Sequence, residues 1–130
     1  MKVLIVALPQ KISKNQFEPL ELAPMAIYLL ASILMKNKHE VSIIDPCEFI
    51  QYEHKGDIEE LCAQYIMKKI SSKDIQLIAF SVNSFNWSNT KVIIQRIADN
   101  FPDVKIALGG LHPSIFDKHV LESSDAHIVM

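Results

Sequence analysis

Short apolar runs alternate along the chain with longer stretches whose apolar residues recur every three or four positions, and this alternation restricts the fold most strongly. Residues 3–8 read Val-Leu-Ile-Val-Ala-Leu and stop at Pro9, which suits a strand buried on both faces. From Leu22 the apolar residues fall at Leu22, Met25, Ala26, Leu29, Leu30, Ile33 and Leu34. That spacing predicts a helix with a core-facing stripe. It ends in Lys36-Asn37-Lys38, where cations suit the negative end of the helix dipole. Residues 41–44 predict a short strand closed by Asp45-Pro46. Residues 57–70 predict a helix with Ile58, Leu61, Cys62, Tyr65, Ile66 and Ile70 inward and a solvated acidic first turn of Asp57, Glu59 and Glu60. A strand over 77–82 follows, then a helix over 88–101 with Val92, Ile93, Ile97 and Phe101 inward. A strand over 104–108, a short helix over 113–121 and a fifth strand over 126–130 complete the chain.

The order β-α-β-α-β-α-β-α-β gives every crossover room for a helix, so the strands are expected to be parallel. The predicted fold is a flavodoxin-like (Rossmann-like) α/β domain, a doubly wound five-stranded parallel sheet of strand order 2-1-3-4-5. The near-continuous apolar runs 3–8, 77–82 and 104–108 should be its inner strands. Residues 1–130 make one domain. Its last strand has no covering helix after it, so the chain is expected to be an amino-terminal module of a longer protein.

Composition narrows the function classes. With 13 basic and 15 acidic residues the net charge is −2, the wrong balance for a nucleic-acid binder. The longest apolar stretch, 22–35, contains Pro24, Tyr28 and Ser32 and is too short to span a bilayer, so no membrane role is expected. Cys47 and Cys62 are too few for a disulfide framework and match no metal spacing. Two reduced thiols in a cytoplasmic protein are the expectation.

In this architecture ligands bind beyond the carboxyl ends of the strands, at the switch between the first and third. The candidate loops are 9–21, 81–90 and 109–114, the last opening with two of the three glycines in the chain. No G-x-G-x-x-G and no Walker loop is present. The acidic cluster and strand-ending Asp of a receiver domain are replaced by Pro9-Gln10 and Ser81. Loop 9–21 has only Ser13 and no glycine, unlike a flavin-phosphate loop. Taken singly, Ser81 also reads as a cap, Gly109-Gly110 as a turn, His112 as a surface histidine before Pro113, and Phe85 and Trp87 as packing over the sheet edge.

Ser81 ahead of Gly109-Gly110 resembles the Ser-x-Leu and Gly-Gly elements of cobalamin-binding domains, with Asn83 in the Leu position. Three segments extend the likeness: Pro19-Leu20-Glu21-Leu22-Ala23-Pro24-Met25-Ala26, His39-Glu40-Val41-Ser42-Ile43-Ile44-Asp45 and Leu108-Gly109-Gly110-Leu111-His112-Pro113-Ser114. Together they resemble the amino-terminal domain of cobalamin-dependent radical SAM enzymes, which include radical methyltransferases and anaerobic magnesium-protoporphyrin ester cyclase-like proteins. The resemblance implies that cobalamin lays its nucleotide tail at the carboxyl edge of the sheet, with the corrin ring across the loops. Ser81, Asn83, Ser84, Gly109, Gly110 and His112 are then the cofactor-binding candidates, with Asn86 and Asn89 near the corrin amides.

The resemblance also implies that a 4Fe-4S cluster and S-adenosylmethionine belong to a carboxyl-terminal radical SAM domain of the same chain. This segment has no Cys-x-x-x-Cys-x-x-Cys, and alone it is expected to have no catalytic residue, no metal ligand and no turnover. Two departures favour an alternative, a docking domain that keeps the fold without the ligand. Glu21 stands where relatives have Gly, and loop 9–21 holds no His of the Asp-x-His-x-x-Gly kind to ligate cobalt.

Overall fold

The computed structural model describes residues 1–8, 10–13, 16–18, 25–45 and 57–130. Its elements are β1 (Lys2–Ala7), β2 (Gln10–Ser13), β3 (Gln16–Glu18), α1 (Met25–Lys36), β4 (Glu40–Ile44), α2 (Ile58–Lys73), β5 (Leu77–Ser81), α3 (Trp87–Asn100), β6 (Lys105–Gly109), α4 (Leu111–Ile115), α5 (Asp117–Ser123) and β7 (Ile128–Val129). Five strands form one all-parallel sheet in the order β4-β1-β5-β6-β7. This is the flavodoxin-like 2-1-3-4-5 arrangement, with the three most apolar strands inside as expected.

Strand alternation splits the core into two layers. Leu4, Val6 and Leu8 of the first strand segment join Ile78 and Phe80 of β5 under α2 and α3, whose Cys62, Ala63, Ile66, Ile93, Ile94 and Ile97 are buried there. Val3, Ile5 and Ala7 face the other way, against Ile27 and Ala31 of α1. Asp57 caps α2 by accepting a 2.9 Å bond from the Glu59 backbone N–H. Glu60, expected to be solvated, pairs instead with Arg96 and ties α2 to α3.

The inward face of α1 differs from expectation. Ile27 and Ala31 are buried and Leu34 half-buried, whereas Met25 (75% exposed), Leu29 (64%) and Ile33 form an outer ridge. The helix is apolar around most of its circumference, so the 3.6-residue period selects no unique face. Val92 of α3 likewise points outward, and Ile94 takes the inward place.

Two further expectations are corrected. The segment after β1 contains an antiparallel β2–β3 pair where a plain loop was expected. The single helix expected over 113–121 is two, α4 and α5, which meet at Phe116. Pro9, residues 19–24, the Asp45-Pro46 junction beyond Asp45, Cys47 and His54 lie outside the described residues.

Candidate functional site

Side-chain size falls along one face of the sheet toward its carboxyl edge. Register places Ile5, Ala79 and Ala107 side by side across β1, β5 and β6, and Ala7, Ser81 and Gly109 in the last row. The opposite face of the same strands keeps Leu4, Ile78, Phe80, Ile106 and Leu108. The small residues leave a trough on the α1 side. It is closed by Ala26, Ile27 and Leu30 of α1 and by Met130 beyond β7, giving a cavity of about 150 Å³. Among the described residues no charged side chain lines it. An apolar cavity of this size accepts one aromatic ring.

The two adjacent glycines have different jobs. A Cβ on Gly109 would meet only the Met130 methyl, at 3.8 Å, so its absence keeps the trough open. Gly110 has φ 111°, and a Cβ there would lie 2.5 Å from the Val82 carbonyl oxygen. The crossing is held by the Val82 N–H donating to the Gly109 carbonyl (2.8 Å) and the His112 N–H donating to the Val82 carbonyl (3.3 Å). Gly110 is thus required by close backbone approach, and Gly109 by space.

Ser81 borders the trough, and its hydroxyl makes no hydrogen bond among the described residues, so the cap reading does not hold. Asn83 and Asn86 close the turn after β5 between themselves. Asn83 Oδ1 accepts from the N–H groups of Phe85 (2.9 Å) and Asn86 (3.0 Å), and Asn86 Oδ1 accepts from the Asn83 N–H at 2.9 Å. Asn86 is buried, and its Nδ2 donates to the Leu8 carbonyl at 3.4 Å. It is committed to the turn, which corrects the expectation that it faces a ligand. Asn89, one turn further along α3, is buried with Nδ2 unpartnered. Asp45, at the end of β4, accepts a 2.8 Å bond from the Tyr28 hydroxyl.

His112 is not a surface residue. It lies in α4, 9% exposed, with its ring stacked on Trp87 (5.1 Å between centroids) and tilted against Phe116 (4.9 Å). Nδ1 is 3.1 Å from the Ser84 hydroxyl, while Nε2 is buried without a partner. Burial lowers its pKa below the ordinary histidine value, and the neighbouring charge of His119 acts in the same direction. The imidazole is therefore neutral at pH 7.

The structure thus brings Ser81, Gly109 and Gly110 to the trough and groups Asn83, Ser84 and His112 at the adjoining end of β5 and β6. Sequence reasoning missed the wall supplied by α1 and Met130, and the aromatic clamp of Trp87 and Phe116. The alternation Leu-Ile-Ala-Phe-Ser in β5, large on one face and shrinking on the other, was the available signal.

A doubly wound sheet with a small-residue trough at its carboxyl edge is a ligand-binding α/β module. The chain matches the B12-binding domain family over residues 19–130, and it belongs to that family. No curated protein and no solved structure gives a significant match. Among the described residues no helix is long and apolar enough to cross a membrane.

Proposed function

We propose that this chain is a cobalamin-carrying module that presents B12 to a carboxyl-terminal radical SAM domain of the same protein, for methyl transfer or a related radical reaction. The observation that carries the cobalamin part is the trough, with Ser81 and Gly109 facing each other across register and an apolar wall behind them. An open slot of ring size beside an unpaired hydroxyl fits a planar heteroaromatic tail. Ser81 donates to the tail, Gly109 and Gly110 leave it room, and Asn83, Ser84 and His112 stand by the polar rim of the corrin. Bound cobalamin supplies a cobalt centre able to carry a methyl group. The chain's own residues hold and orient that group, and loop 9–21, which has no histidine, offers cobalt no imidazole. The radical SAM context rests on the three sequence segments around Pro19, His39 and Leu108, and places the 4Fe-4S cluster and S-adenosylmethionine in the other domain.

The docking-only alternative draws on the bare ridge of Met25, Leu29 and Ile33. Visible-light titration with hydroxocobalamin decides between the two. The expected result is saturable uptake by the parent chain and loss of most affinity in Gly109→Leu, whose side chain fills the slot. Overpacking of this kind costs ~1–3 kcal/mol of stability, so circular dichroism must show the variant folded. A folded Gly109→Leu that binds as well as the parent, or a parent that binds nothing, overturns the reading.

A further inference from the structure

A buried polar nitrogen is left without a partner where α4 leaves β6. His112 Nε2 has no hydrogen bond, and its ring lies between Trp87 and Phe116. Buried polar groups are almost always hydrogen-bonded, so this orphan calls for a cause. The Ser84 hydroxyl on Nδ1 bears on the tautomer: when it donates, the ring proton is on Nε2. Nε2–H is then an unsatisfied donor, the complement of an oxygen acceptor.

We propose that His112 Nε2–H recognises an oxygen acceptor of the bound cofactor, either a corrin carboxamide or the phosphodiester of the nucleotide tail. This rests on the cobalamin reading above, and it gives a specific atom and role to a residue outside the Ser and Gly-Gly positions. Phe116, which covers one face of the imidazole, is 47% exposed and sits at the junction of two short helices. It is the side chain that gives way as the acceptor enters. In the free chain the orphan is a standing cost, and the ligand removes it.

The test uses the whole chain and two variants. His112→Phe keeps the aromatic stack and deletes the donor, and His112→Gln restores an N–H near the Nε2 position. Hydroxocobalamin affinity should fall about tenfold in His112→Phe, the effect of one lost hydrogen bond, and recover to within about threefold of the parent in His112→Gln. Urea unfolding of the ligand-free chain should show His112→Phe no less stable than the parent, since an unpaired buried group has been removed. A purely structural histidine would move stability and leave affinity alone. Long-range ¹H–¹⁵N correlation should find the His112 proton on Nε2.

Cobinamide, which lacks the phosphodiester and nucleotide, separates the two acceptors. If it too loses affinity in His112→Phe the acceptor is a carboxamide, and if only cobalamin does it is the phosphodiester. Unchanged cobalamin affinity in His112→Phe overturns the proposal while leaving the module reading intact. So does nitrogen splitting of the cob(II)alamin EPR signal that vanishes in His112→Phe, which would make Nε2 a cobalt ligand. A parent chain that takes up no cobalamin defeats the module reading instead.

Discussion

Alanine at Gly110 should cost far more than alanine at Gly109, although the two are neighbours in one motif. At Gly110 an L-residue is held at φ 111° with its Cβ 2.5 Å from the Val82 carbonyl oxygen and 3.0 Å from the Val82 nitrogen. The Val82 backbone cannot retreat freely, because it is bonded to Gly109 on one side and His112 on the other. With ψ at −174° this backbone lies in a region essentially reserved to glycine, and holding an L-residue there costs ~1–3 kcal/mol. Moving the turn to relieve the clash breaks the His112-to-Val82 bond, for about 1 kcal/mol more. The sum, about 3 kcal/mol, is a large share of the ~5–15 kcal/mol that holds a domain together. It corresponds to a fall in Tm of roughly 10 °C at this chain length. At Gly109 the new methyl meets only the Met130 methyl at 3.8 Å and no left-handed φ is involved. The loss of unfolded-state freedom there contributes about 0.4–1 kcal/mol toward stability. Urea unfolding with a shared m-value checks both. A Gly110→Ala midpoint within about 0.5 kcal/mol of the parent would refute the close-approach argument. So would a Gly109→Ala variant that falls as far as Gly110→Ala.

Two further outcomes are expected. Burial lowers the His112 pKa below its ordinary 6.5, so the unfolded chain takes up a proton that the folded chain refuses. Stability should therefore fall as pH drops from 6.5 through the folded value and level off below it. His112→Phe should flatten that part of the urea-midpoint profile, and an unchanged slope would exclude His112 as the cause. The Cys62 thiol, pushed up to about 12 by burial and secondarily by Glu59, should resist Ellman's reagent at pH 8 in a Cys47→Ser background until urea unfolds the chain. Reaction at the rate of a free thiol under native conditions would contradict the buried placement.

Much of the fold was legible because its signals are local. Run 3–8 is apolar at every position and 77–82 at every position but Ser81, which only a strand covered on both faces requires, and the crossover lengths then force parallel pairing. The candidate site was legible in part for the same reason. Ser81, Gly109 and Gly110 mark the ends of strands whose positions the order already implies. Where a segment carries no asymmetry the reading failed. α1 is apolar on nearly every side, so Met25, Leu29 and Ile33 looked as buriable as Ile27 and Ala31. The break at Phe116 between α4 and α5 was masked by a continuous helical pattern.

The sequence alone determined the strand–helix alternation, the parallel sheet and the loops at its carboxyl edge, because periodicity and chain length are properties of neighbouring residues. Only the tertiary structure decided what those loops do to one another. Register set Ala79 beside Ala107 and Ser81 beside Gly109, so that separate small residues became one trough. Packing of α4 against α3 turned a histidine that reads as a surface residue into a buried ring between Trp87 and Phe116. Both depend on contacts distant in the chain, Ser81 with Gly109 and Trp87 with His112, and such contacts are specified by the shape of the whole core rather than by any local pattern.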